Sequence, residues 1–320
     1  MKEDRNTGSK DGADWRQRPE RSNMFWLRVM TWISLKLGRR ASRIVLYGIA
    51  AYFLAFAPTA RRMSRRYLQR ALKPRDVGWK PLFRHFLTFA SVVHERVYLI
   101  NDRFDLFDIQ VHNRALIEDL VANGRGAFLI GAHLGSFEVL RAVGRRQPGL
   151  RIALAMYEDN ARRINAALGA INPNAQQDII ALGHIDSMMR VHELLAQGTV
   201  VGMLGDRSLG KDDTRELEFL GEPAALPLGP FRMAAIMKCP VLFMTGLYRG
   251  GNRYDIHFET LADFSSVAPR GRTLAVQAAM TRYAALLERF CRTAPYNWFN
   301  FFDFWQAPAS RQAQPSAESS

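Results

Sequence analysis

Cysteine is almost missing from this 320-residue chain: there are two, Cys239 and Cys291, and neither sits at metal-ligand spacing. Two cysteines cannot build a disulfide framework, which leaves a reducing compartment as the expectation. Glycine-rich loops with phosphate-cradle spacing are missing too. Without a Walker A or a Gly-x-Gly-x-x-Gly stretch, a nucleotide-dependent enzyme is disfavoured and no cofactor is expected. The Gly-x-Ser-x-Gly elbow of serine hydrolases does not occur. His94-Glu95 and His192-Glu193 both lack a second histidine four residues after the first, so the helical zinc motif is absent and no metal is expected. No internal repeat occurs. Nor is there an apolar run of the roughly 20 residues a transmembrane helix needs.

Acidic residues are scarce in one region only. Residues 1–80 hold 19 Lys and Arg against 6 Asp and Glu, whereas residues 81–320 hold 25 against 24. A nucleic-acid-binding enzyme spreads basic surface over its folded domain, so this asymmetry points instead to a basic N-terminal device and to no nucleic-acid partner. Residues 1–22 are polar and without periodicity, as in a disordered arm, and no small-residue cleavage site follows that would make a secretory signal. Over residues 24–37, Phe25, Trp26, Val29, Met30, Ile33 and Leu37 recur at helical spacing. Residues 44–57, IVLYGIAAYFLAFA, carry no charge, with Arg39, Arg40 and Arg43 before them and Arg61, Arg62, Arg65 and Arg66 after. Fourteen residues fall short of a span, and arginines on both sides give no inside–outside asymmetry. A helix dipped into one leaflet, arginines on anionic headgroups, accounts for both; a single tilted span lengthened by residues 58–60 is the other reading.

What is present, centrally, is GAFLIGAHLGSFEVL at residues 126–140. It reads as a buried strand, a glycine turn carrying His133, and a helix carrying Glu138 with Ser136 as its N-cap. Gly131 and Gly135 permit the turn. A histidine on a strand end, with an acid on one ring nitrogen, suits removal of a proton from a hydroxyl.

The remainder alternates. Strands are expected at 151–157, 178–182, 199–204, 216–220, 241–248 and 253–260. Helices are expected at 82–100, 113–122, 161–169, 185–196, 229–238 and 273–292, with a disordered tail after residue 306. The fold class is therefore α/β, a central mixed and mostly parallel sheet flanked by helices, with membrane-associated helices ahead of it. The expected divisions are an arm at 1–22, a membrane-associated region at 23–80, the α/β domain at 81–305 and a tail at 306–320. Ligands gather at the carboxyl ends of such strands. Gly205-Asp206-Arg207 follows one of them, as a plain salt bridge or as a pair in which Asp206 orients Arg207 toward a phosphate or oxyanion. Residues 208–214 read as a polar rim.

Several of these blocks together resemble the bacterial lipid A biosynthesis acyltransferases, the HtrB-like branch of the lysophospholipid and glycerolipid acyltransferases. They are the His-x4-Glu box, the Gly-Asp-Arg strand end, FLGEPAALPLGPFRMAA, the strand start at Pro240 and the aromatic PYNWFNFFDFW. The likeness covers about residues 25–305. It implies an enzyme on the cytoplasmic face of the bacterial inner membrane that moves a fatty acyl chain from an acyl-carrier-protein thioester to a hydroxyl of a membrane lipid or glycolipid. It places the catalytic dyad on His133 and Glu138, and assigns Gly135, Ser136, Asp206 and Arg207 to substrate contact. A hydrolase of lipids or thioesters, and a non-catalytic membrane-binding protein on the same fold, stay open.

Overall fold

The computed structural model describes residues 20–73, 76–172, 178–207 and 213–305. The expected tail, most of the expected arm and most of the polar rim after Arg207 lie outside the described residues. Three helices open the described chain: α1 (Glu20–Phe56), α2 (Pro58–Leu72) and α3 (Trp79–Ile100). Gly38 interrupts α1 with φ 76° and ψ 165°, a conformation that glycine reaches without a steric cost. Pro58 starts α2, and a proline both lacks the N–H and disfavours helix in the residue before it. The segments Gly38–Phe56 and Pro58–Leu72 accordingly meet at 96°.

Among the described residues no single helix is long and apolar enough to cross a membrane; the bent pair passes that test only as a unit, by length and composition. Its exposure is more telling. Ser42, Leu46 and Ala50 are buried at four-residue spacing, whereas Ile44, Val45, Tyr47, Tyr52, Phe53 and Phe56 are exposed, Ile44 by 74% and Phe56 by 72%. Apolar side chains thus occupy the outward face of this helix, where a soluble protein would place charge.

The sheet has seven strands: β1 (Asp108–His112), β2 (Ala127–Gly131), β3 (Ile152–Tyr157), β4 (Asp178–Leu182), β5 (Val200–Leu204), β8 (Pro240–Gly250) and β9 (Arg253–Asp263). Between β5 and β8 lies a hairpin of β6 (Thr214–Phe219) and β7 (Glu222–Pro227). The order is β1-β9-β8-β2-β5-β3-β4, parallel except where β8 meets β9. This is the mostly parallel mixed sheet the sequence implies. Two strands go beyond the sequence reading. β1 is absent from the sequence reading: DIQVH is a five-residue stretch whose inner face holds only two apolar side chains, Ile109 and Val111. β7 covers the Gly-Glu-Pro stretch that reads as a turn, the turn itself being confined to Leu220 and Gly221, both at positive φ.

All five residues of β2 are buried, and successive side chains enter opposite cores. Phe128 and Ile130 join the cluster under α2, α8 (Gly229–Met237) and α9 (Arg272–Thr293). Ala127 and Leu129 join the one under α3, α4 (Ala115–Ala122) and α5 (Leu140–Arg146). Helices α6 (Glu158–Ile171) and α7 (Ile185–Ala196) cover the β3–β4 edge. Covered on both faces, β2 reads as an unbroken apolar run.

Buried histidines tie the N-terminal helices to this body. His85 lies between the Ser64 hydroxyl, 2.8 Å from Nδ1, and the Trp298 carbonyl, 2.9 Å from Nε2, while His94 Nε2 is 2.7 Å from the Ser42 hydroxyl. Burial pushes His85 down to about 4, against a raising contribution from the Trp298 carbonyl; burial, Arg39 and Arg43 push His94 down to about 4 as well. Folded-state values below the unfolded one mean stability that is complete above about pH 6.5 and lost as pH falls toward about 4. The thermal midpoint should therefore drop steadily across that window. A midpoint that stays flat down to about pH 4.5 would show that these imidazoles are not held neutral.

Candidate active site

Strand adjacency assembles the site. β2 and β5 run parallel with Gly131 opposite Leu204, and the Gly205 N–H donates to the Gly131 carbonyl at 2.9 Å. Residues two beyond each paired end, His133 and Asp206, therefore emerge side by side. The His133 imidazole holds Asp206 by Nδ1, 2.9 Å from Oδ1, and the His133 backbone N–H donates to Oδ2 at 3.0 Å. A third donor, Trp298 Nε1, reaches Oδ2 at 3.0 Å. Asp206 is buried while the His133 side chain remains 32% exposed. Burial alone would raise the Asp206 carboxyl; the charge and hydrogen bonds of His133, with Arg207 behind, outweigh it and hold the group well below the usual carboxylate range. With Nδ1–H donated to the carboxylate, the neutral imidazole carries its lone pair on Nε2, on a side chain that stays partly exposed.

Glu138 is placed differently from the dyad expected for it. Its carboxylate accepts from the Ser136 hydroxyl at 3.0 Å and pairs with Arg96 Nε at 2.6 Å, while Asp206 occupies Nδ1 of His133. The expected helix through Glu138 is also displaced: α5 starts at Leu140, and Ser136 does not cap it. The reason lies in how the loop is pinned. Leu134 and Gly135 bridge to Trp298 and Gly246, Ser136 N–H donates to the Gly246 carbonyl at 2.8 Å, and the Thr245 hydroxyl donates to the Leu134 carbonyl at 2.9 Å. An extended loop sewn to β8 in this way has no helical hydrogen bonds to offer. Gly135 sits at φ +74°, and a Cβ on it would lie 2.0 Å from the Gly246 carbonyl oxygen, so only glycine fits.

Of the residues read as substrate contacts, Ser136 is buried and Gly135 is engaged through its backbone. The Arg207 guanidinium donates to the Phe299 carbonyl at 2.9 Å and lies 5.0 Å over the Phe302 ring. Burial lowers its pKa, and Asp206 raises it in part. Arg207 thus clamps the aromatic segment 294–305 across the strand ends, and Phe299 N–H in turn donates to the His133 carbonyl at 2.8 Å. Two clefts, one between β6 and α9 and one beside Arg125 and Lys238, are not lined by His133.

Trp298 is the functional contact that pattern reading did not assign. Its only trace in the sequence is the aromatic run 295–305, in which nothing distinguishes the one indole that points at the acid.

A buried carboxylate behind a half-open imidazole is a general-base arrangement with no nucleophile of its own. No curated protein matches the sequence closely enough to count as a relative. Residues 11–307, however, match a family whose description reads bacterial lipid A biosynthesis acyltransferase. Its members transfer acyl groups onto lipid acceptors, and a half-open imidazole on a strand end is consistent with that chemistry. On a match that takes in nearly the whole chain, this protein belongs to the bacterial lipid A biosynthesis acyltransferase family.

Proposed function

We propose that this chain transfers a fatty acyl group from an acyl-carrier-protein thioester to a hydroxyl of a membrane lipid or glycolipid, at the cytoplasmic face of the inner membrane. The observation that carries the reading is the His133–Asp206 pair. The acceptor hydroxyl hydrogen-bonds to Nε2 of His133, and its oxygen attacks the thioester carbonyl while its proton passes to Nε2. Asp206 stabilises the resulting imidazolium through Nδ1–H. The tetrahedral adduct collapses with cleavage of the carbon–sulfur bond, and the thiolate leaves with the proton from Nε2. Atoms balance without a covalent enzyme intermediate, which is why no serine or cysteine nucleophile is required.

Within this mechanism Glu138 serves as a positioning group, holding Ser136 and Arg96, and Arg207 fixes the aromatic wall beside the opening. Gly135 and Ser136 shape the loop against which substrate rests. The exposed apolar face of α1, the 96° bend and the arginines on α2 favour a hairpin dipped into one leaflet. Arg62 and Arg65 are exposed, so they are available to anionic headgroups or to an acidic carrier protein, while Arg66 pairs with Asp303 at 2.6 Å.

His133→Ala should lower acyl transfer at least about 100-fold in protein that still folds, with a lowered melting midpoint because the buried Asp206 loses its imidazole donor; near-parental turnover by folded protein would dismiss the mechanism. Asp206→Asn should cost at least about tenfold more turnover than Glu138→Gln, since only the former breaks the imidazole's tautomer lock. The reverse ranking would return the catalytic acid to Glu138. For the hairpin, Ile44→Asp with Phe56→Asp should weaken sedimentation with anionic phospholipid vesicles at least about tenfold, and unchanged binding would place the membrane contact elsewhere.

A further inference from the structure

Away from the catalytic centre, the outer edge of the sheet carries a cluster that acyl transfer does not use. β1 is the edge strand and pairs in parallel with β9, His112 opposite His257 and Gln110 opposite Asp255. Asp255 and His257 are two apart on one strand and so share a face. The two imidazoles stack at 4.2 Å between centroids and 5° between planes. The ligand atoms offered by His112, Asp255 and His257 all lie within 4.8 Å of one another.

We propose that His112, His257 and Asp255 form a binding site for a divalent first-row metal ion of the zinc type, clipping the edge strand to its neighbour. Two imidazoles and one carboxylate are the donor set such ions favour, with water completing the coordination. Two features support occupation by a cation over a simple stack. Neither imidazole makes a hydrogen bond among the described residues, and Nε2 of His257 is buried without a partner, which a native structure normally relieves with water or an ion. Asp255 is held through Oδ2 by Arg249 Nε at 2.6 Å, leaving Oδ1 free and the carboxylate oriented, as outer-shell partners do.

The Arg249 charge opposes a bound cation in part, and the carboxylate offsets it. Metal–ligand bonds of 2.0–2.1 Å put tetrahedral ligand atoms roughly 3.4 Å apart, so closing the site needs inward movements of about 1 Å together with a rotation of one ring out of the stack, since imidazole lone pairs lie in the ring plane. His112 is exposed at the edge and can make that movement.

The test titrates Zn²⁺ calorimetrically into metal-stripped full-length protein. A single saturable site is expected in the parent and in His133→Gln, the latter excluding the catalytic His–Asp pair as the binding locus. His112→Gln, a surface change that spares the fold, and Asp255→Asn should each weaken it at least about tenfold. Zn²⁺ should also raise the thermal midpoint of the parent but not of His112→Gln. No saturable binding in the parent, parental affinity in His112→Gln with His257→Gln, or loss of the site in His133→Gln would overturn the assignment.

Discussion

One carboxylate determines how the strand ends are organised. Asp206 lies out of water and accepts three hydrogen bonds, from the His133 imidazole, the His133 backbone and the Trp298 indole. An isolated buried charge would cost several kcal/mol and neutralise itself, so its donors must all arrive together. The acid and the two residues that donate to it come from three segments: His133 from the loop after β2, Asp206 from the end of β5, Trp298 from the segment after α9. Fixing that single charge therefore fixes the relative placement of the sheet, the loop after β2 and the aromatic strap. Tyr283 on α9 reinforces the arrangement by donating to the Gly131 carbonyl at 2.9 Å.

A second buried charge does similar work at the junction with the N-terminal helices. Glu95 on α3 is fully buried, pairs with Arg39 and, at 3.5 Å, with Arg43 of α1, and accepts from the Tyr254 hydroxyl of β9 at 2.6 Å. Burial raises its pKa, while Arg39, the Tyr254 hydrogen bond and Arg43 pull the other way. Arg39 and Arg43 also donate to the Gly251 carbonyl at the β8–β9 turn. The arginines read in sequence as headgroup ligands thus divide into two populations. Arg39 and Arg43 are turned inward to grip the domain, Arg61 caps the end of α1 and Arg66 pairs with Asp303, whereas Arg40, Arg62 and Arg65 are exposed. Sequence position alone does not separate them, since both groups flank the same apolar run.

Elements with strong local signals were legible before any coordinates. The strand 178–182 and the helix 185–196 coincide with β4 and α7, because a short β-branched run and an amphipathic period each declare themselves. His133 and Asp206 could both be placed at strand ends. Their partnership could not, because it depends on β2 and β5 being neighbours, and strand order is a tertiary property that leaves no mark between residues 73 apart. Glu138 drew the pairing instead by sequence proximity. In the structure a loop tied to Gly246 stays extended past Ser136 and turns Glu138 toward Arg96. His94 and Glu95 illustrate a different limit. Their sequence shows only that the zinc pattern is lacking, whereas both are buried in the polar seam between α1 and the domain.

The indole of Trp298 has an implication for the order of events during synthesis. Residues 44–72, bearing the bent apolar pair, leave the ribosome more than 200 residues before Trp298 does. Until the indole docks, Asp206 lacks one of its three donors and the strap that seals it from solvent is absent. The helices of the bent pair are therefore synthesised well before the contact that completes the shell around Asp206 can form.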